Sequence, residues 1–391
     1  MERAAPGAGG ASWRGGGSAA PRATAEERER LNALFAELCA IPSPFGRERA
    51  VADRVAAELR AIGLAVEEDD AGAEAGSECG NLLARTGEGG VLLCAHLDTV
   101  GHGDVPIEPV LVEDGWENAH AAILGADNKA AVAVMLVAAG RARAEGRAVE
   151  LLFTVCEEIG LAGAKAFDVS RLRSRFGYVY DHATPIGEIV MASPTYYKVT
   201  AEFHGTAAHA GIRPEEGRSA IVAAARAIGA LDLGRLDAET TANVGTIEGG
   251  AGGTNVVPER CRFLAEARSL DARRAEEVVA RMVDRIQDAA NDPACDVDVD
   301  VDVERLFRGY RHPADAPQVL AAERALQRSG YRPRQIVTGG GSDANALEAK
   351  GFPCTNLANG TERNHEPTER VSVAALEGML DVTLALLEEC A

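Results

Sequence analysis

Three short apolar runs in this chain each end in residues that an apolar core does not hold. Val91-Leu92-Leu93-Cys94-Ala95 runs into His96-Leu97-Asp98, Leu151-Leu152-Phe153-Thr154-Val155 into Cys156-Glu157-Glu158, and Phe176-Gly177-Tyr178-Val179-Tyr180 into Asp181. Short continuous apolar runs read as strands buried on both faces. Helix-like segments separate them, and strands alternating with helices predict a mainly parallel, doubly wound sheet. In such sheets ligands gather beyond the carboxyl ends of the strands, so these polar residues are expected at one edge. Two carboxylates ~5 Å apart near a protein surface repel by roughly 3 kcal/mol. Adjacent Glu157 and Glu158 therefore call for a neutralising partner.

The rest of the chain falls into place around that sheet. Residues 1–23 are rich in Gly and Ala, lack a continuous apolar stretch, and read as a disordered tail rather than a secretory signal. Order is expected from Thr24, where TAEE fits a capping box and Leu31, Leu34, Phe35 and Leu38 follow at helical spacing. GADNKAAVAVMLVAAGRARAEG reads as a long apolar helix over about 129–145. Near residue 193 the pattern changes to strand 196–204, helix 217–230, strands 241–248 and 256–267, helix 272–290 and strand 295–307. That order, βαββαβ, is the ferredoxin-like arrangement, read here as an insertion. The α/β pattern resumes with a helix over 317–329, strands at 335–338 and 352–358, and a closing helix from 372. The predicted organisation is a tail (1–23), a catalytic domain in two parts (24–192 and 309–391), and an inserted lid or dimerisation-type domain (193–308).

Composition excludes some functions. At 46% hydrophobic and 26% charged residues the chain resembles an ordinary soluble globular protein. A formal charge of -20 argues against nucleic acid or an anionic membrane as partner, and no run approaches the ~18 apolar residues of a membrane span. The eight cysteines are scattered without a C-x-x-C pair, several inside strand-like runs, which favours a reducing, cytoplasmic setting. Asp296, Asp298, Asp300 and Asp302 alternate with valine. That period of two marks a half-exposed strand with an acidic face, whereas an EF-hand loop needs a glycine at its sixth position.

Asp127, at the start of the long helix, and His365, in the loop after the last predicted strand, join His96, Asp98, Glu157, Glu158 and Asp181 at the same edge. Singly, each has a plainer reading: a rim histidine, a solvated glutamate pair, a helix cap. Together they suit a two-metal hydrolytic centre, with two divalent ions ~3.5–4 Å apart activating a carbonyl and a water. Histidine nitrogen and carboxylate oxygen without thiolate suit zinc, with cobalt or manganese able to substitute.

At these residues the sequence resembles the co-catalytic zinc peptidase and amidohydrolase family that includes peptidase T, carboxypeptidase G and acetylornithine deacetylase. The motifs AHLDTV, GADNKAA, CEEIG, YVYDH, GTAAHAG, GTNVVPERC, GGGSDANAL and NHEPTE follow in order across nearly the whole chain after Thr24, with the peptidase T branch the nearest in pattern. The resemblance implies that His96 and Asp181 bind one metal, Glu158 and His365 the other, and that Asp127 bridges them. It implies that Asp98 orients His96, that Glu157 is the general base, and that His209 of the lid polarises the scissile carbonyl. Asn255 matches a substrate-binding asparagine, and Arg268 matches an arginine that holds a substrate carboxylate, with an exposed strand charge as its equal alternative. Both glutamates can face the site only if the strand breaks there, as Ile159-Gly160-Leu161-Ala162-Gly163 suggests. His182 departs from the family's usual small residue and is expected to face solvent. His102, His120, His204 and His312 match no family role. GGGSDAN reads as a tight strand-to-helix loop, without the G-K-[ST] of a nucleotide-binding loop.

The leading functional expectation is a di-zinc exopeptidase removing the N-terminal residue of short peptides. Its near rival is an N-acyl-amino-acid amidohydrolase or carboxypeptidase using the same metals. A non-catalytic, metal-holding dimerisation protein is a third class, against which the retained Glu157 argues. Relatives either pair as homodimers through lid edge strands or work without a partner's lid.

Overall fold

The computed structural model describes residues 22–250 and 252–391. The expected disordered tail lies outside the described residues except at its end. There Ala23 is buried and its N–H donates to Asp381 at 2.8 Å. Thr24 itself caps the helix Ala25–Cys39 through a reciprocal box with Glu27.

A nine-stranded sheet forms the larger body. Its centre is four parallel strands in the order Val149–Thr154, Val91–His96, Gly177–His182, Cys354–Ala358. Antiparallel strands Val66–Glu68 and Leu82–Arg85 extend one side. On the other side stand Glu188–Ser193, Tyr310–Arg311 and Arg334–Val337. Both faces are covered, which is why the central strands read as continuous apolar runs. Leu93, Ala95, Leu151, Phe153, Tyr178 and Tyr180 face a layer containing the helices Ala25–Cys39, Ala126–Glu145 and Val373–Glu389. Leu92, Cys94, Leu152 and Val179 face Phe167, Ala344 and Leu347 on the opposite side. The helix Ala126–Glu145 is buried nearly all round over its first four turns, which its run of Ala and Val permits.

Between Ser193 and Tyr310 the chain forms a separate sheet. Its order is Gly234–Arg235, Thr240–Gly249, Arg260–Ser269, Thr195–His204, Asp298–Phe307, all antiparallel. The helices Ala220–Ala230 and Ala272–Asn291 cover one face with a core of their own. Leaving aside the two-residue Gly234–Arg235 strand, this is the ferredoxin-like lid that the alternating pattern predicted. It meets the larger body through Phe307, which packs edge-on against Tyr196 at 5.4 Å and lies over Gly341, where any added side chain would enter the ring.

Two features escaped sequence reasoning. Glu188–Ser193 is a buried strand too close to the domain change to be separated from it. A four-stranded sheet joins Pro109–Val112 and Gly115–Asn118 to Thr361–Glu362 and Arg370–Ser372, segments more than 240 residues apart. It hangs the 359–372 loop, with His365, over the end of the main sheet. Among the described residues no helix is long and apolar enough to cross a membrane. All eight cysteines are free, seven of them buried.

Candidate metal centre

The strands Val91–His96 and Val149–Thr154 run parallel with His96 opposite Thr154, so the residues after each strand emerge at the same edge. His96 is 1% exposed. Its Nδ1 lies 3.0 Å from the carbonyl of Asp98 and 3.5 Å from that residue's carboxylate. The other ring nitrogen, Nε2, points at two carboxylates, 3.4 Å from Asp127 and 3.9 Å from Asp181. Across the site, His365 Nε2 is 3.4 Å from the second oxygen of Asp127 and 3.0 Å from Glu158. The Asp127 carboxylate therefore stands between the two histidines, one oxygen to each. Glu157, half-buried, groups with His96 and Asp181 within metal-ligating range.

Four successive backbone N–H groups explain how both glutamates reach the site. Val155 donates to Asn81 at 3.1 Å, Cys156 to Glu48 at 3.1 Å, and Glu157 and Glu158 to the two oxygens of Asp98 at 3.0 Å each. Cys156 adopts φ 53°. The ladder partner is thus replaced, residue by residue, by side-chain oxygens, and the alternation of strand side chains stops there. Asp98 consequently does more than the expected orientation of His96: its carbonyl meets the ring, while its carboxylate holds the turn that carries Glu157 and Glu158. Asn356 grips Asp181 in the same manner, accepting from its N–H and donating to its carbonyl, both at 2.9 Å. Glu48, Asn81 and Asn356 were not singled out from the sequence. They act on backbone rather than on ligand, and nothing local distinguishes such residues from surface polar ones.

The electrostatics describe a cluster that gathers positive charge. Burial opposes charge on His96, but its contacts with Asp127 and Asp98 and the charge of Glu157 lift its pKa well above the ordinary histidine value. His365 rises to about 10 through its close approach to the Asp127 and Glu158 carboxylates. Burial, then the charge of Asp181, pushes Glu157 well above the carboxylate range, and burial with the charge of Asp127 does the same to Asp181. Burial also works against ionised Asp127, yet its two histidine partners bring its pKa below the usual value. His96 Nε2, Asp127 Oδ1 and Glu158 Oε1 are buried without a hydrogen-bond partner. Ligand atoms on a tetrahedral zinc ion stand ~3.3 Å apart, given bonds of about 2.0–2.1 Å. The separations of 3.0–3.9 Å between the histidine nitrogens and carboxylates match that spacing, so the residues fit divalent cations.

The lid residues lie apart from this cluster. His209 is exposed, paired with Val256 across an isolated bridge, and its Nδ1 accepts from the Gly211 N–H at 3.2 Å. Exposed Asn255 sits beside it, its carbonyl accepting from Ala210 at 2.9 Å. Arg268 is engaged: it donates twice to Glu266 and once to the Gly339 carbonyl, each at 3.1 Å, and stacks 4.1 Å over the Tyr196 ring. His182 is half-buried rather than solvent-facing, and burial lowers its pKa. His102, His120, His204 and His312 each find partners away from the cluster. GGGSDAN is a loop entering the helix Asp343–Ala349, with Ser342 as its cap and Asp343 buried beneath the site, accepting from Thr154.

Known proteins share this architecture. Residues 195–293 match the peptidase dimerisation domain of the M20 peptidases, and residues 80–184 match peptidase family M28. The chain is 37% identical to the protein YqjE of Bacillus subtilis over 93% of its own length and 99% of that protein's. Among solved structures, aminopeptidase PepT of Bacillus cereus is 36% identical with a TM-score of 0.82, the match covering 93% of this chain and 98% of that one. A tripeptidase of Staphylococcus aureus is 32% identical with a TM-score of 0.86, over 92% and 98% of the two chains. Sequence, fold and a metal-ready cluster agree: the chain belongs to the M20 family of peptidases and amidohydrolases, beside peptidase T, and is a metal-dependent hydrolase of peptide bonds.

Proposed function

We propose that this protein is a di-zinc exopeptidase that removes the N-terminal residue from short peptides. The observation that carries the proposal is the Asp127 carboxylate set between His96 and His365, with inward-facing, unpartnered atoms on His96, Asp127 and Glu158. The likeness to an aminopeptidase and a tripeptidase supports the choice of substrate. His96 and Asp181 would hold one ion, Glu158 and His365 the other, and Asp127 both. Bound there, such ions polarise a peptide carbonyl and make water nucleophilic at neutral pH.

The protein's own residues do the rest. Glu157 stands beside Glu158 and, not being needed as a ligand, would take the proton from the attacking water with its carboxylate and pass it to the departing amine. Asp98 keeps Glu157 aimed by holding its backbone N–H. His209 Nδ1 accepts a hydrogen bond, which leaves the proton on Nε2 as a donor for the substrate carbonyl once lid and site meet. Asn255 lies next to it to bind substrate backbone, and Arg268 would hold the peptide carboxylate on exchanging Glu266 for it.

The test is a panel of tripeptides offered free, N-acetylated and C-amidated to zinc-reconstituted protein, with products read by mass spectrometry. The proposal expects release of the first residue from free-amine peptides only. Equal or better cleavage of acetylated peptides would replace it with the N-acyl-amino-acid hydrolase or carboxypeptidase reading.

A further inference from the structure

We infer that Glu369 is a positioning residue for the metal centre: it locks the turn carrying Asp127 to the loop carrying His365, and so sets how the shared carboxylate meets the second histidine. The inference rests on the di-metal reading above and concerns a residue that touches neither ion nor substrate. Glu369 is 2% exposed. One of its oxygens accepts from the backbone N–H of Leu124 at 2.8 Å and of Gly125 at 2.7 Å, and the other from that of Asp127 at 2.8 Å. These are N–H groups of the turn that leads into the helix Ala126–Glu145, where no helical carbonyl is available to accept them. A carboxylate accepting three backbone N–H groups makes strong, charge-assisted bonds.

The placement matters more than the bonds alone. Asp127 and Asn128 depart from helical dihedrals inside that helix, so the Asp127 side chain is aimed by the turn before it rather than by helical repeat. Glu369 fixes that turn from a distance of more than 240 residues in sequence. It is also only four residues after His365, in the loop anchored by the strand Arg370–Ser372. His365 is half exposed and its backbone sits at φ 67°, a conformation that its loop must hold. Through Glu369, the loop that brings one ligand clamps the backbone of the ligand both ions share.

A neutral amide separates this role from simple helix capping. In Glu369→Gln the oxygen can serve Leu124 and Gly125, but the NH2 group then faces the Asp127 N–H, donor against donor. The experiment compares full-length wild type, E369Q, E369D and E150Q. Glu150 is an equally buried carboxylate, paired with Arg85 at 2.9 Å in the same sheet and away from the site. Each protein is stripped of metal, melted, and titrated with zinc against a competing chelator. Cobalt absorption then reports ligand geometry.

For E369Q the expected result is apo melting no lower than that of E150Q, zinc affinity down about 10–100-fold as for other outer-shell partners, and an altered cobalt spectrum. E150Q is expected to keep wild-type affinity. E369D, which keeps the charge but is one methylene short, should fall between. Unchanged zinc affinity and cobalt spectrum in E369Q would overturn the inference while leaving the di-metal reading intact. Should E369Q not fold, a folded E369D with wild-type affinity would overturn it equally. A wild type that takes up fewer than two ions would sink both.

Discussion

Two sets of carboxylates in this molecule use the same residue types to opposite ends. Asp98, Asp127, Glu157, Glu158 and Asp181 sit where three parallel strands finish, buried or nearly so, and aim at one another and at two histidines. Asp298, Asp300, Asp302 and Glu304 line the outer strand of the lid, all exposed. Along that strand, residues two apart are separated by about 7 Å, and the side chains point to solvent or meet a single basic residue. Lys198 meets Glu304 at 2.6 Å and His204 meets Asp300 at 3.0 Å. The difference lies in convergence, since both sets contain four or more acids within short stretches or neighbouring strands. In the first set, the backbone of each carboxylate-bearing turn is pinned by a buried side chain, so mutual repulsion cannot be relieved by movement and is met by protons or by bound cations. In the second, side chains simply spread into solvent.

The largest effect that would break this contrast is at Glu157. Glu157→Gln keeps shape and neighbours but removes the proton carrier. It should lower kcat about 10²–10⁴-fold with two ions still bound, measured by steady-state kinetics beside metal content. Full activity in that variant would remove Glu157 from the reaction.

A buried histidine outside the cluster sharpens the comparison further. His312 is 8% exposed, close to His96 in burial, but it has the Thr355 hydroxyl at 3.3 Å and one carboxylate, that of Glu348, at 3.8 Å, rather than the several carboxylates around His96. Burial pulls its pKa down from 6.5 to about 4. Because the unfolded chain binds that proton more readily, His312 makes stability fall as the pH drops from 6.5 to about 4, by at most roughly 1.4 kcal/mol per pH unit. Urea unfolding across that window should show a shallower loss in His312→Gln than in wild type. Identical slopes would mean that the ring is solvated or charged in the native state. The smallest effect belongs to the lid stripe. Asp300→Asn with Asp302→Asn should change stability by no more than about 0.5 kcal/mol and leave metal content untouched.

The same contrast explains what could be read from sequence. The central strands announced themselves as continuous apolar runs because helices cover both faces, and the lid strands by alternation because only one face is covered. Most of the cluster was legible because His96, Asp98, Glu157, Glu158 and Asp181 lie at strand ends, within three residues of an apolar run, whereas Asp127 and His365 stand at a helix start and in a loop. Its support was not. Glu48, Asn81, Asn356 and Glu369 act through backbone bonds to segments up to 245 residues away, and a lone polar residue in a loop carries no mark of that. The small sheet joining residues 109–118 to 361–372 was hidden for the same reason. Two of its strands have only two or three residues and their partners are remote. In the lid, motif matching located His209, Asn255 and Arg268 along the chain but could not show that Arg268 is held by Glu266 and Gly339.

The most direct test of the two-ion centre is a crystal structure of the zinc-reconstituted protein, with diffraction recorded on both sides of the zinc absorption edge. Two anomalous peaks per chain are predicted, ~3.5–4 Å apart, one against His96 and Asp181, the other against Glu158 and His365, with Asp127 between them. A single peak, no peak at the sheet edge, or ions gathered instead along Asp298–Asp302 would contradict it.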